Sequence, residues 1–305
     1  MKQQVFILQG GGPGLLVRRQ RSAGLPVLYV HGATFPSALS AAYRFNGGSW
    51  MDDWNARGFD AWAFDFAGYG GSDRYDDAAQ SDAIPGRAPE AATQIARVAA
   101  YILSTTGHSS LAIVAHSWGT IPAALFAAQN QHAVNTLCLF GPVLRREGKA
   151  QAAALEKYRL VTIEQQLARF IEDVPPDHPP VLIEPQLEMW GPAYIASESG
   201  ASLRLPAAVK IPNGPAADIG DAWSGDLPYD PRNLHCPVLC VRGEWDSVTS
   251  YDDAAWLLSQ LRHPASRDVK ISEGTHLMHL EHSREDLFAA VGAFLKENSA
   301  LSPTS

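Results

Sequence analysis

Cysteine is scarce in this chain of 305 residues: Cys138, Cys236 and Cys240 are the only three, each in or beside an apolar, strand-like run. An odd, sparse set in such places reads as reduced thiols and argues against a disulfide framework. Long hydrophobic runs are missing too. No stretch approaches the 18 apolar residues of a membrane span, and the segment from Met1 to Gln9 lacks the apolar core and cleavage site of a secretory signal. Positive charge is thin. The formal net charge is −8, and the longest basic cluster, Arg18-Arg19-Gln20-Arg21, reads as decoration on a strand edge. Nucleic acid and anionic membrane are therefore poor partners. Gly10-Gly11-Gly12-Pro13-Gly14 lacks the Lys-Ser/Thr of a phosphate loop and reads as a loose hairpin turn. The His-Glu-x-x-His pattern of zinc proteases is absent, and no internal repeat is found. The expectation is a cytoplasmic globular protein acting on a small molecule, without metal or other cofactor, with a homodimer left open.

What is present is a core. Hydrophobic residues make up 46% and charged residues 18% of the chain, enough apolar material for one large or two ordinary domains. Short apolar runs end in polar or glycine-rich turns, in order along the sequence. Pro26 to Val30 leads into His31-Gly32-Ala33-Thr34, and Ala61 to Phe64 into Asp65 to Ser72. Thr136 to Phe140 leads to Gly141, Pro237 to Val241 into Arg242 to Asp246, and Arg267 to Ser272 into Glu273-Gly274-Thr275-His276. Unalternating apolar strands suit a parallel sheet buried on both faces. Helical spacing lies between them: Ile95, Val98, Ala99, Ile102 and Leu103 share one face, as do Ala254, Leu257, Leu258 and Leu261. Leu287, Val291, Phe294 and Leu295 approximate the same stripe, and the tail after Asn298 should fray. Strands alternating with helices imply a doubly wound sheet whose ligands bind beyond the carboxyl ends of the strands.

One of these turns carries the sharpest signal. Leu111 to Gly119 reads LAIVAHSWG, an apolar run stopping at Ala115-His116-Ser117-Trp118-Gly119, and a helix-like stretch follows with Pro122 in its first turn. This is close to the G-x-S-x-G turn that presents a serine Oγ between a strand and a helix, with Ala115 replacing the first glycine. The plain alternative is a buried serine at a strand–helix junction.

Together the turns resemble the alpha/beta-hydrolase fold-1 family, in an esterase- or lipase-like form. The resemblance rests on His31-Gly32, on the D-x-x-G-x-G-x-S stretch from Asp65 to Ser72, on the Ser117 turn, on Gly243-Glu244-Trp245-Asp246 and on Gly274-Thr275-His276, in the family's order. It implies a doubly wound, mostly parallel sheet with helices on both faces, and a serine, acid, histidine order for the chemistry. Ser117 would be the nucleophile and His276 the base. The acid follows the sixth or seventh strand in this family. Phe140 to Leu144 offers no carboxylate, so the choice lies between Glu244 and Asp246, and the G-x-x-D pattern favours Asp246. His279 and His282 should sit at the start of the next helix as solvated or half-buried residues. His31 should brace the loop that supplies an oxyanion donor. The donors themselves would be backbone N–H groups of Trp118 and of Ala33, with Thr34 the other choice for the second.

Residues 142–231 fall outside the resemblance in texture, holding 12 of the 21 prolines. Thr162-Ile-Glu-Gln165 fits a capping box, with Ile163, Leu167, Phe170 and Ile171 as an apolar stripe, and a second helix is expected from about Pro180 to Tyr194. Resemblance makes this segment a helical cap, or lid, over a core of residues 1–141 and 232–305. Thr34, Trp190, Tyr194, Trp223 and Trp245 are the candidates to line the pocket. The segment carries 13 acidic and 8 basic residues, with no cationic cluster, so a small, mostly apolar ester, uncharged or weakly polar, is expected. The same framework also serves C–C, lactone, amide and thioester cleavage. A lyase, a cofactor-free oxygenase and a non-enzymatic ligand receptor remain alternatives, while an aspartate-nucleophile reaction is excluded by Ser117.

Overall fold

The structure, a computed structural model, describes residues 3–75, 82–148 and 155–299. An eight-stranded sheet organises it, in the order β1-β2-β4-β3-β5-β6-β9-β10. The strands are β1 (Gln4–Leu8), β2 (Leu15–Gln20), β3 (Pro26–Val30), β4 (Asp60–Phe64), β5 (Leu111–His116), β6 (Val134–Phe140), β9 (Val238–Gly243) and β10 (Arg267–Ile271). From β4 to β10 all neighbours are parallel, and the hairpin of β1 and β2 adds two antiparallel strands at one side. The glycine-rich turn at residues 10–14 closes that hairpin. Strands β3, β4 and β5 are buried along their whole length, which is why they read as continuous apolar runs rather than alternating ones.

Helices cover both faces: α1 (Trp50–Ala56), α2 (Ala88–Thr106), α3 (Thr120–Gln129), α7 (Tyr251–Gln260) and α8 (Arg284–Ser299). Helix α2 buries Ile95, Val98, Ala99 and Ile102, the stripe read from its spacing. Leu287, Val291, Phe294 and Leu295 of α8 are fully buried against the other face. Burial of each such large side chain stabilises the fold by about 1.5–3 kcal/mol. Helix α8 runs to Ser299, and the rest of the tail expected to fray lies outside the described residues. Among the described residues, no helix is long and apolar enough to cross a membrane.

The segment between β6 and β9 contains α4 (Ile163–Ile171), α5 (Trp190–Ala196) and α6 (Gly214–Trp223), and also a ribbon of β7 (Tyr158–Val161) with β8 (Val209–Pro212). It is not purely helical, as the sequence had suggested. Two four-residue strands pairing across some fifty positions leave no local pattern to read. The Thr162–Gln165 capping box starts α4 as expected. The second helix begins only at Trp190, not near Pro180. The Glu184 carboxylate accepts from the N–H groups of Met189 and Trp190, at 3.0 and 2.9 Å, and so caps the helix there.

The basic run on β2 also departs from expectation. Strand β2 lies between β1 and β4, not at the edge, and Arg19 points inward. Its guanidinium forks onto Asp60, at 3.1 and 2.8 Å, and lies over the Trp62 ring, whose N–H donates to the same carboxylate at 2.8 Å. Removing one partner strands the other charge in the interior. Asp60→Ala should therefore lower the unfolding free energy by about 3–5 kcal/mol in urea titrations. A loss below about 1 kcal/mol would class the pair with exposed ones.

Candidate active site

The chain order of the sheet reverses at β3: the path runs from β3 to β4 on one side, then crosses to β5 on the other. That switch point opens a crevice at the carboxyl ends of β3 and β5, where the turns after Val30 and His116 meet. The approach is very close. A Cβ on Gly119 would lie 2.3 Å from the His31 carbonyl oxygen, and one on Gly32 would lie 3.1 Å from the Ser117 Cβ. Ser117 itself holds φ +56°, a left-handed backbone uncommon for a residue with a side chain, and this lifts its Oγ out of the strand. Ala115 is fully buried and accepted where the motif usually has glycine.

Three strand ends then meet. His276 Nε2 lies 2.8 Å from Ser117 Oγ, and its Nδ1 lies 3.1 Å from both carboxylate oxygens of Asp246. All three residues are buried. Asp246 is fixed in turn by the N–H groups of Val248 and Thr249, which donate to Oδ1 at 2.8 and 3.1 Å. Glu244 points elsewhere, paired with Lys270 at 2.6 Å, and this ion pair together with the Glu273 N–H holds its carboxyl below the usual range. Gly141 ends β6 at φ +53°, and a Cβ there would come within 2.8 Å of His276 Nδ1. A side chain at that strand end would collide with the histidine that Asp246 contacts.

His31 fixes the facing loop. Its Nε2 accepts from the Phe66 N–H at 3.0 Å, so the ring proton sits on Nδ1, which donates to the Gly32 carbonyl at 2.8 Å. Burial holds this imidazole below its ordinary pKa, opposed by the charge of Asp65 and the bond to Gly32, and favours the neutral ring. Locking the Gly32 carbonyl orients the whole peptide and with it the Ala33 N–H on the opposite side. Tyr69 OH donates to the Ala33 carbonyl at 2.7 Å and fixes the next peptide, the one bearing the Thr34 N–H. Asp65 accepts from the Ser37 N–H at 2.9 Å and from its hydroxyl, so the D-x-x-G-x-G-x-S stretch braces this loop.

A cavity of about 100 Å³ adjoins Ser117 and His276. Its walls are Gly32, Ala33, Thr34 and Phe35 on one side, with Leu277 and His116 below. The segment 142–231 contributes Arg159, Arg169, Phe170 and Ile219. Of the five pocket candidates from the sequence, Thr34 is at the wall and the four aromatics are not. Trp190 and Tyr194 are buried and stacked on each other at 5.1 Å, with the Trp190 N–H bound to the Leu39 carbonyl. Trp223 lies under the Arg146 guanidinium, and Trp245 packs on His178. Large aromatic area was needed to seat the segment on the core, and packing consumed it.

Two residues that brace the site, Asp218 and Glu281, gave no sequence signal. Trp118 turns its ring away from the cavity and donates Nε1–H to Asp218 of α6 at 2.9 Å; the Ala88 N–H and Arg87 bind the same carboxylate. Glu281 accepts from the Thr275 N–H at 3.1 Å and so holds the turn before His276. His279 is not at a helix start: it lies in a 3-10 turn, buried between Phe35 and Phe140 and 4.6 Å from the ring of His116. His282 is exposed just before α8. No group of three or more His, Cys, Asp or Glu side chains among the described residues is arranged to hold a metal ion.

The family model for the alpha/beta hydrolase fold matches residues 25–283. The chain is similar in structure to a thioesterase domain from the curacin biosynthetic pathway, with TM-score 0.66 and 16% identity over 97% of this chain and 100% of that one. It is similar to Est1E from Butyrivibrio proteoclasticus, solved with ferulic acid bound (TM-score 0.62, 17% identity, 97% and 99% covered). It is also similar to the haloalkane dehalogenase DbeA from Bradyrhizobium elkani (TM-score 0.64, 19% identity, 99% and 100% covered). Identities this low establish the shared fold alone. No curated protein sequence matches the chain.

The buried histidines make stability depend on pH. Burial, and then the neighbouring His276, push the His279 pKa down to about 3; burial also carries His116 well below its ordinary value. An unfolded histidine takes up its proton near pH 6.5. Between those values the unfolded chain binds more protons, so stability falls as pH falls below about 6.5, by about 2 kcal/mol at pH 5 from His279 alone. His279→Leu should shrink the drop in unfolding free energy between pH 7.5 and pH 5 by about that amount. An undiminished drop in urea titrations would show that His279 is not the group responsible.

Proposed function

We propose, for a chain that belongs to the alpha/beta hydrolase fold family, a serine hydrolase reaction on a small carboxylic ester through an acyl-enzyme. The observation that carries this is the single imidazole of His276 joining Ser117 on one side to Asp246 on the other. A serine hydroxyl is a weak nucleophile near neutral pH and needs a base within hydrogen-bond reach.

In this reading His276 Nε2 takes the Ser117 proton as Oγ adds to the ester carbonyl. The tetrahedral oxyanion is held by the N–H groups of Trp118 and Ala33, which bracket it from the two turns that meet at the switch point. Asp246 keeps the Nδ1 proton in place and stabilises the imidazolium without taking the proton itself. His276 then gives its proton to the departing alcohol. A water activated by the same imidazole releases the acid and restores Ser117. Residues 142–231 act as the cap: Phe170 and Ile219 give an apolar wall, which excludes water and strengthens the electrostatics beneath. The core of residues 1–141 and 232–305 supplies the chemistry.

Ser117→Ala should lose on the order of 10⁴-fold or more in the hydrolysis of short aryl esters, and lose covalent labelling by a fluorophosphonate. Retention of a tenth of the activity would remove Ser117 from the role. Asp246→Asn should lower kcat by about 10³- to 10⁴-fold, because the amide favours the wrong imidazole tautomer, while Glu244→Gln should be mild. The reverse ranking in steady-state assays would transfer the acid to Glu244.

A further inference from the structure

The cavity beside Ser117 is not a neutral one. Two arginines are among the residues that line it, Arg159 on β7 and Arg169 on α4, and no carboxylate side chain is among the described residues that do so. Their surroundings differ. Arg169 is half-buried and already paired with Glu172 on its own helix, so its charge is shared with the surface. Arg159 donates to the Asn213 Oδ1 at 2.9 Å, and that is its one acceptor among the described residues. The Asn213 amide cannot turn to offer more, because its Nδ2 donates to the Glu156 carbonyl at 2.8 Å. Asn213 is itself buried, and the Lys157 carbonyl holds its backbone N–H at 2.9 Å. Arg159 is thus held in a fixed direction by a neutral, locked amide, with most of its five donors uncommitted.

A charge drawn partly out of water calls for an opposite charge, and a planar fork of donors matches a carboxylate in both geometry and sign. The fixed amide beside Arg159 lowers the entropy lost when an anion binds, since the guanidinium is already restrained. We infer that the ester this protein cleaves carries a carboxylate on its acyl portion, a few bonds from the scissile carbonyl, with Arg159 as its anchor and Arg169 as a second positive charge at the rim. The inference rests on the serine-hydrolase reading of the same site. The small volume sets the length. A cavity of about 100 Å³ leaves room for only a short acyl chain between Ser117 and the arginines, as in the half-ester of a short dicarboxylic acid. Phe35, Phe170, Ile219 and Leu277 then contact the methylenes between the two ends.

The charge also answers a question of orientation. The oxyanion loop, Gly32 to Thr34, and the two arginines are contributed by different parts of the chain, core and cap segment, and both face one cavity. A substrate with a carboxylate at one end is held at both, and its carbonyl carbon is then placed at Ser117 by binding energy remote from the reacting bond.

The test compares methyl hydrogen succinate with its neutral isostere, methyl 4-oxopentanoate. The wild-type protein should favour the acid by about 10- to 100-fold in kcat/KM, the range for a charge-assisted, bidentate contact, and the preference should shrink with added salt. Arg159→Gln, which keeps a polar stem beside Asn213, should remove most of that preference, chiefly through KM. Succinate binding to the Ser117→Ala variant, followed by calorimetry, should weaken by a similar factor when Arg159→Gln is added. That arm needs no turnover, so it stands apart from the chemistry. Absence of Ser117 labelling, with succinate still bound through Arg159, would overturn the serine-hydrolase reading and leave the anion site. A wild-type protein that prefers the neutral ester, or a preference that survives Arg159→Gln, would overturn the anion site and leave the reaction.

Discussion

The approach of two turns to within van der Waals contact is the constraint from which the site follows. At Gly119 there is no room for a single methyl group, because the His31 carbonyl already occupies that space. Only with that gap closed does the turn after β3 lie beside the turn after β5, with Gly32 against Ser117. The strained backbone of Ser117 is tolerated because the strands on either side leave it nowhere else to go. Gly141 plays the same part on the far side, leaving clear the space that His276 fills.

A layer of buried polar groups holds these turns in register, and each group has a job that can be named. His31 fixes the peptide bearing the Ala33 N–H, Glu281 fixes the turn before His276, and the N–H groups of Val248 and Thr249 fix Asp246. Asp218 ties the elbow to α6 and to the start of α2 at once. Burying such groups is unfavourable unless they are bonded, and once bonded they specify a single arrangement. His279 differs: neither of its ring nitrogens finds a partner among the described residues. Its ring is used as a flat, uncharged filler between Phe35 and Phe140, and it carries the acid sensitivity that follows from that use.

Legibility in the sequence divided along the range of the interaction. Strand ends that turn on glycine or on a polar residue were readable, because the burial of a parallel strand and the freedom of glycine are local properties. So were the stripe on α2 and the capping box of α4. The ribbon of β7 and β8 was not, since its two halves are far apart in the chain and too short to show a period. The aromatic residues of the segment 142–231 were visible as mass but not as direction, and Trp190 and Tyr194 turned out to be packing. Counting charge over the same segment pointed to an uncharged pocket, yet Arg159 and Arg169 face the cavity. A sum over ninety residues contains nothing about which two point inward.

The sequence alone determined the family, the succession of the parallel strands along the chain and the identity of the turn residues, because each of these is carried by near neighbours: a run of apolar side chains, a glycine, a capping pair. It placed Ser117, Asp246 and His276 in order without bringing them together. The tertiary structure alone decided that His276 spans from one to the other, that Asp246, favoured by the G-x-x-D pattern, is in reach of it, and that two arginines from the inserted segment line the same space. These are contacts between residues 30 to 159 positions apart, set by sheet register and by the fit of the segment onto the core, and no local pattern encodes the direction of a side chain across such a distance.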